Sequence, residues 1–431
     1  MTLEGIIMKK KYFFVGIKGS GMSALAQCLH DLGHEVSGSD VERDFATSEG
    51  LRKRDIPIYP FNERNIEGGF HYIISAAYDD SHPEVKKIKE NNYPYQYYHE
   101  ALSTVPGNQI AISGTHGKTT TTSLTAQILK SKRIAMVSGD GTGFAKKNPK
   151  YFIYEACEYK NHFHVFHPKI LVITNIEKDH PDYFSTIEEV IDAFQKIANQ
   201  AEEIIINGDS QNGRKISHPK RTTFGFRPDN DYRIRLITQT KYGFTFLVNH
   251  QVYFIPFTGK HMIYNATAAI IIGLKLGMRR DEIQAQLHFA RLPRRRMQSF
   301  QVGRTILIDD YAHHPTEILA LHQALRQKYP GLKINVIFQP HTYSRTLAFR
   351  RQFAKALARF DDVYIEKVFA SAREKDNEEL QNKVNDFFRS FKVFTPFVLQ
   401  IIDFSKEEVW VFLGAGIVNH WLDHLLKSNL K

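Results

Sequence analysis

The chain has 431 residues, 42% hydrophobic and 24% charged, a length too great for one core and a balance that suits a globular protein of two or three domains. Its formal charge of +11 comes from 57 basic and 46 acidic residues scattered along the chain, with one tight cluster at Arg294-Arg295-Arg296 and no aromatic-interleaved basic stripe. That pattern argues against a nucleic-acid partner and suits an enzyme that draws in substrates carrying phosphates and carboxylates.

No apolar run approaches the ~20 residues needed to cross a bilayer, so no membrane partner is expected. Cys28 and Cys157 stand without a CxxC or histidine-rich metal spacing, which points to a reducing, cytoplasmic setting. The basic N-terminus leads into Phe13-Phe14-Val15, a strand rather than a signal-peptide core, and Met8 is an alternative start.

Three α/β stretches follow in order, 1–104, 105–300 and 301–431, each expected to build a mostly parallel sheet flanked by helices. In the first, the strand Tyr12–Val15 runs into the tight turn Gly16-Ile17-Lys18-Gly19-Ser20-Gly21-Met22. A helix from Ser23 to Leu32, ended by Gly33, and a strand from Glu35 to Asp40 complete a Rossmann-like βαβ unit. The dinucleotide fingerprint wants glycine where Lys18 stands, so an NAD-dependent oxidoreductase is a weak alternative. The turn can present N–H groups to a diphosphate, and a purely structural turn fits the spacing equally.

The second stretch opens after Val105-Pro106-Gly107-Asn108 with an apolar run, then Gly114-Thr115-His116-Gly117-Lys118-Thr119-Thr120. A strand, a glycine turn and a helix in that order form a phosphate loop. Backbone N–H groups close round phosphate oxygens, Lys118 reaches the terminal phosphates, and the Thr119 hydroxyl meets the accompanying Mg²⁺. Ile112 fills the slot where the longer general motif has another glycine, so the loop is a shortened P-loop. Further strands at Phe152–Tyr154 and Ile170–Ile173 end in polar residues, where an open parallel sheet holds its ligands. Tyr232 to Pro256 alternates apolar and polar about a Tyr242-Gly243 turn, which predicts an antiparallel ribbon.

The third stretch carries strands at Thr305–Ile308, Lys333–Phe338 and Val409–Leu413, the last followed by Gly414-Ala415-Gly416, and predicts a second Rossmann-like, doubly wound sheet.

Six runs occur in one order: Gly16 to Ala24, Gly114 to Thr120, Glu155 to Tyr159, Asn175 to Phe184, Asp309 to Glu317 and Phe338 to Thr346. Together they resemble the Mur ligases of peptidoglycan synthesis over essentially the whole chain. The Asp-Asp-Tyr-Ala-His-His-Pro and Gln-Pro-His-Thr-Tyr-Ser-Arg runs are characteristic of the alanine-adding branch and of the ligase that recycles murein peptides.

The resemblance implies ATP- and Mg²⁺-dependent ligation of L-alanine to UDP-N-acetylmuramate through an acyl phosphate. The recycling activity, which adds a tripeptide to the same acceptor, is the alternative. The substrates are then small molecules, and the resemblance leaves monomer or homodimer open.

The resemblance also implies roles for individual residues. Gly16, Gly19, Ser20, Gly21, Met22 and Ser23 would hold the UDP diphosphate, with Asp40 and Ser75 near the uridine. Gly114, Thr115, Gly117, Lys118, Thr119, Thr120, Asn265, Arg295, Arg296 and Asp310 would bind ATP. Thr119, Glu155 and His180 would hold the metal, while Tyr311, His313, His341 and Arg345 would surround the amino acid. Lys118, His180 and His313 are the candidate catalytic groups, His313 as an imidazole of near-neutral pKa that orients or deprotonates the amine.

Arg345 would grip the amino-acid carboxylate bidentately. Several relatives carry a carbamylated lysine where Gln195 stands, and Lys196 is out of phase, so no carbamate is expected. Met262, Leu292 and Ile417 replace an asparagine, a glycine and an aspartate of the family pattern, which leaves a non-catalytic relative as a third reading.

Overall fold

A computed structural model of the protein describes residues 9–371 and 374–429, so Met8, the alternative start, lies outside the described residues. The chain is α/β throughout and folds into two compact units. One holds the residues up to Ile176 with Ile191–Phe224 and Ala268–Ile283; the other holds Glu177–Val190, Gly225–Thr267 and the residues from Gln284 on.

The first unit begins with β1 (Lys11–Val15), α1 (Ser20–Asp31), β2 (Glu35–Asp40), α2 (Ser48–Arg52), β3 (Ile58–Pro60), β4 (His71–Ile74), α3 (Pro83–Glu90), β5 (Tyr95–Tyr97) and α4 (Tyr98–Ser103). Its five strands are all parallel in the order β3-β2-β1-β4-β5. The order reverses beside β1, so the turn after Val15 opens at the topological switch point, where such sheets take ligands.

Helix α1 starts at Ser20, three residues ahead of the sequence expectation. Gly19 and Gly21 are poor helix formers, but the Tyr98 ring packs so closely on Gly21 that a Cβ there would lie 2.6 Å from it. Tertiary packing overrides propensity at this helix start.

A second sheet follows with β6 (Asn108–Ser113), α5 (Lys118–Ile128), β7 (Ile134–Val137), β8 (Gly143–Ala145), β9 (Tyr151–Glu155), β10 (Ile170–Ile173), α6 (Ile187–Gln200), β11 (Glu203–Asn207) and β12 (Arg221–Gly225). These strands lie in the order β12-β11-β10-β6-β9-β7-β8, and β8 alone runs antiparallel to its neighbour. The four residues Ile110–Ser113 and the whole of β10 are buried, as expected for strands covered on both faces. Register sets Ser113 beside Ile173 and Ile112 beside Glu155, so β6, β10 and β9 end level. The second order reversal falls at β6, immediately before the phosphate loop.

The other unit contains the ribbon β13 (Tyr232–Thr240), β14 (Gly243–Val248) and β15 (Gln251–Ile255), antiparallel throughout. After α7 (His261–Lys275) and α8 (Arg280–His288) come β16 (Gln298–Val302), β17 (Thr305–Asp310), α9 (Pro315–Lys328), β18 (Lys333–Phe338), α10 (Tyr343–Ala348), α11 (Arg350–Leu357), β19 (Asp362–Ile365), α12 (Glu378–Phe387), β20 (Lys392–Val393), β21 (Glu408–Leu413) and α13 (Asn419–Asn429). The third sheet is ordered β16-β17-β21-β18-β19-β20, with only β16 antiparallel. The boundary expected at 300/301 falls inside β16, because this edge strand pairs back on β17 from Gln298.

Alternate side chains of this sheet feed two cores. Ile308, Val336, Val409 and Val411 pack on one face, and Leu307, Ile337, Trp410 and Phe412 on the other. Register places Asp310, Leu413 and Phe338 level. The loops 311–314, 414–418 and 339–342 therefore leave the sheet side by side.

Candidate active site

In the first unit the Gly16 turn spends much of its backbone on itself. Gly16 and Ile17 donate to Ser39 O, Gly19 donates to Gly16 O, and Lys18 donates to Asp40 Oδ2 at 2.6 Å. Asp40 Oδ1 accepts from Val41, so both carboxylate oxygens serve the turn, and burial pushes the carboxyl up in pKa. The Lys18 ammonium donates to the carbonyls of Val41 and Arg43, which is how a lysine replaces the fingerprint glycine. The donors this leaves are the N–H groups of the first turn of α1, at Ser20, Gly21 and Met22.

Ser23 is buried in α1 and donates to Ser20 O, while Ser75 follows β4 and its N–H donates to Val15 O. The expected diphosphate residues thus gather at one helix N-terminus, with Asp40 and Ser75 on the flanking strand ends.

The phosphate loop is shaped by glycine at two positions. Gly114 has φ +126°, and a Cβ there would lie 2.1 Å from Thr174 Oγ1; Gly117 caps α5 at φ +84°. The loop is braced by Thr174 and Asn175. Thr115 N–H donates to Asn175 O at 3.1 Å and His116 N–H to Asn175 Oδ1 at 2.9 Å. The Thr115 amide expected on ATP is therefore turned to the brace. The first turn of α5, Lys118 to Thr120, presents the helix N–H groups that lack an intrahelical acceptor.

Lys118 Nζ donates to Gly114 O and lies 3.0 Å from Glu158 Oε2. Burial works against the ammonium, but Glu158 and then the neighbouring Cys157 and Glu155 outweigh it and hold the pKa above that of an ordinary lysine.

Glu155 ends β9 facing Thr119. The Thr119 hydroxyl donates to Glu155 Oε2 at 3.1 Å, and Ser138 Oγ and the Gly139 N–H donate to Oε1. Burial pushes the Glu155 carboxyl up despite these donors. A hydroxyl and a carboxylate converging this closely form an all-oxygen donor set that fits Mg²⁺, and a divalent cation there would offset the cost of burying the charge. The same 138–141 segment reaches α1, since Gln27 Nε2 donates to Gly141 O at 2.7 Å.

The remaining expected site residues lie in the other unit. His180 is buried in the left-handed region at φ +52°, and its N–H donates to Asp179 Oδ1 at 2.7 Å. Asp179 is bound in turn by Arg345. The guanidinium Nε donates to Oδ1 at 2.8 Å and Nη2 to Oδ2 at 3.2 Å, while Nη1 lies 3.1 Å from His341 Nδ1. Burial pushes the Asp179 carboxyl up, yet Arg345 outweighs it and holds the pKa well below the usual range. The arginine expected to grip a substrate carboxylate already grips an internal one.

His313 donates from Nδ1 to Tyr311 O at 3.1 Å, which leaves Nε2 as the acceptor nitrogen of the neutral ring. Its pKa is corrected from the near-neutral expectation. Burial drives it down to about 3, against the pull of Glu317, so the imidazole is uncharged across the physiological range. The His341 ring stands edge-on to it at 5.7 Å. His314 caps α9, accepting from the Thr316 N–H.

Asp310 accepts from the N–H groups of Met297 and Ala312, and burial lifts its pKa to about 6. Of the pair Arg295-Arg296, Arg295 is committed internally. It contacts Asp309 at 3.2 Å, Gly416 O at 3.1 Å and Gly414 O at 2.6 Å. Arg296 lies over the Tyr311 ring at 5.2 Å and 4.0 Å from Glu317.

Asn265 is buried in α7, and Met262, in place of the expected asparagine, is buried one turn earlier. Leu292 packs against the third-sheet core. Ile417 is half-buried, and its N–H and that of Val418 are held by Gln339 Oε1 at 2.7 and 3.1 Å. In the first unit, Gln195 accepts from the Ser217 N–H while Lys196 is exposed on α6.

Glu158, Asn175, Asp179, Glu317 and Gln339 were not singled out as ligand groups by sequence. All five lie inside the six runs quoted above, so the runs themselves carried the signal.

Three family models match the chain in succession. The Mur ligase family catalytic domain matches residues 11–106, the Mur ligase middle domain 112–273, and the Mur ligase glutamate ligase domain 295–409. Among solved structures, the chain is similar to the UDP-N-acetylmuramate-alanine ligase of Thermotoga maritima, 28% identical with a TM-score of 0.81, over 97% of this chain and 98% of that one. It shares its fold with a murein peptide ligase of Psychrobacter arcticus, 19% identical with a TM-score of 0.74 over 97% of this chain and 98% of that one. A pseudomurein peptide ligase type C of Methanothermus fervidus is 17% identical with a TM-score of 0.63, over 98% of this chain and 100% of that one.

Proposed function

We propose that this chain, which belongs to the Mur ligase family, joins L-alanine to UDP-N-acetylmuramate with ATP, through an acyl phosphate, in the cytoplasm. The observation that carries the reading is a phosphate loop whose lysine meets Glu158 and whose threonine meets Glu155, on a chain that also bears a buried arginine in contact with His341. The similarity to an alanine-adding ligase supports the choice of amino acid.

On this reading residues 1–104 bind the UDP-sugar, 105–300 bind ATP, and 301–431 bind the amino acid. The N–H groups at Ser20, Gly21 and Met22 face the diphosphate of the sugar nucleotide, and Asp40 and Ser75 border the uridine. Gly117, Lys118 and the first turn of α5 hold the phosphoryl group in transfer, where positioning and charge neutralisation matter more than covalent help. Thr119 and Glu155 would hold Mg²⁺, which would supply charge neutralisation to the phosphate oxygens. Asn265, Arg296 and Asp310 serve the nucleotide, and Arg295 fixes the loop behind them.

Arg345, His341, Tyr311 and His313 receive the amino acid. The neutral His313 ring offers Nε2 as a hydrogen-bond acceptor that orients the amine toward the acyl phosphate; with its pKa held at about 3, it is a positioning group and too weak a base to carry off the amine's proton.

The test is release of phosphate from ATP in the presence of UDP-N-acetylmuramate, Mg²⁺ and each amino acid in turn. Release that depends on L-alanine is the expected result. Faster turnover with a preformed murein tripeptide would replace alanine by the recycling substrate, and no release with any donor would remove the ligase assignment.

A further inference from the structure

Resting on the proposed ligase reading, we infer that Asp179 and Arg345 together form the receptor for the amino-acid zwitterion. Arg345 takes the carboxylate and Asp179 takes the ammonium. Their side chains are 8% and 3% exposed, and the fork between them is bidentate at 2.8 and 3.2 Å. A pair buried this deeply contributes little to stability compared with an apolar pair of similar size, so folding alone gives no reason to keep it. Strain lies on both sides of it. His180, next to Asp179, sits at φ +52°, and Thr342, which leads into the short helix bearing Arg345, sits at φ +65°. Left-handed conformations at non-glycine residues cost energy and gather where function demands a fixed geometry.

Charge balance decides what can enter. A lone carboxylate that displaced Asp179 from Arg345 would leave a buried carboxylate without a counter-ion, and a lone ammonium on Asp179 would strand the guanidinium. A zwitterion inserted between them breaks one ion pair and makes two, leaving every charge matched. The site therefore selects an α-amino acid over an amine or a simple acid, by penalising the wrong ligand as well as holding the right one.

The groups around the pair are consistent with this exchange. His341 Nδ1 accepts from Arg345 Nη1 at 3.1 Å, and the His180 N–H donates to Asp179 Oδ1 at 2.7 Å, so each partner keeps a hydrogen bond after the pair opens. Asp179 and Arg345 also act on the His313 ring electrostatically, its pKa depressed first by burial and then balanced among Glu317, Arg345 and Asp179.

The experiment is direct calorimetric binding of L-alanine, propionate and ethylamine to the whole protein. Propionate and ethylamine each keep one charged end of alanine. The wild-type chain should bind alanine at least ~10-fold more tightly than either analogue, the worth of one charge-assisted hydrogen bond. In Asp179→Asn the order should change, with alanine weakened ~10-fold or more and propionate strengthened because it now neutralises a guanidinium without a partner. Equal affinity of the wild type for alanine and propionate overturns the inference without any variant, and so does an unchanged order in Asp179→Asn. The ligase reading is checked separately by trapping the acyl phosphate with hydroxylamine as a hydroxamate, in a mixture without amino acid. Its failure there leaves the binding order to stand or fall independently.

Discussion

Lys118 and Glu158 form a buried ion pair at 3.0 Å, so the cation of the phosphate loop is seated on a carboxylate of the strand-end run that also carries Glu155. The side chains are 16% and 3% exposed. Removing one member of such a pair leaves an uncompensated charge and costs ~3–5 kcal/mol. Lys118→Ala should therefore lose phosphoryl transfer and also lower the stability measured by urea denaturation. Adding Glu158→Gln to it should restore most of the stability and none of the activity. A double variant no more stable than Lys118→Ala would show that Glu158 is not what the lysine neutralises.

Arg295 and Arg296 should separate by readout. Arg295 holds Asp309 and two carbonyls of the 414–416 loop, so Arg295→Ala should destabilise by ~3 kcal/mol through the stranded Asp309. Arg296 lies over a ring, 4.0 Å from Glu317, and acts on Asp310 only through space, so Arg296→Ala should change stability by no more than about 1 kcal/mol. Its expected effect is on the KM for ATP. Steady-state kinetics beside denaturation curves check both, and a reversed pattern would exchange the two roles.

The fold was largely legible because its strands are covered on both faces. Runs such as Ile170–Ile173 and Lys333–Phe338 can only be central strands, and the glycine turns after β1 and β6 mark where ligands go. Less legible were features set by packing across the chain. Glycine at Gly19 and Gly21 argued for a later helix start than α1 has, because nothing local announces the Tyr98 ring against Gly21. The grip of Arg345 on Asp179 joins residues 166 positions apart, a distance at which spacing carries no information. Nor does a histidine in sequence disclose its burial, which is what moves His313 from its ordinary pKa to about 3. The replacements at Met262, Leu292 and Ile417 read as gaps until the structure buried the first, packed the second against the third-sheet core and tied the third by its backbone to Gln339.

Gly114 tests the shape of the phosphate loop. A left-handed conformation costs a non-glycine residue ~1–2 kcal/mol, and at φ +126° a Cβ would also meet Thr174 Oγ1 at 2.1 Å. Gly69, at φ +95° with nothing within 4 Å of its notional Cβ, isolates the conformational part. Gly69→Ala should cost roughly 1 kcal/mol, while Gly114→Ala should exceed it by about 2 kcal/mol or more and abolish ATP binding. Equal losses in the two variants, read from denaturation midpoints, would mean that the loop yields to the clash.

Two buried groups of the third sheet should leave opposite marks on stability against pH. His313 falls from its ordinary 6.5 to about 3, so between those values the unfolded chain holds a proton that the folded chain does not. Its contribution is complete above pH 6.5 and is lost as pH falls toward 3. Asp310 rises from 3.8 to about 6, first through burial and against the pull of Arg296. Between those values the folded chain holds the extra proton, so its contribution is complete below 3.8 and is lost as pH rises through 6. Each group alone tilts the stability curve by about 1.4 kcal/mol per pH unit, and from pH 4 to 6 the two tilts cancel. The comparison is therefore between variant and wild type, where titrations common to both drop out. Relative to wild type, Asp310→Asn should lose stability as pH falls from 6 to 4, because the His313 tilt is then unopposed. Over the same interval His313→Gln should gain it. Urea midpoints taken at half-unit steps decide the matter, and difference curves flat from pH 4 to 6 for both variants would show that neither group is shifted by burial.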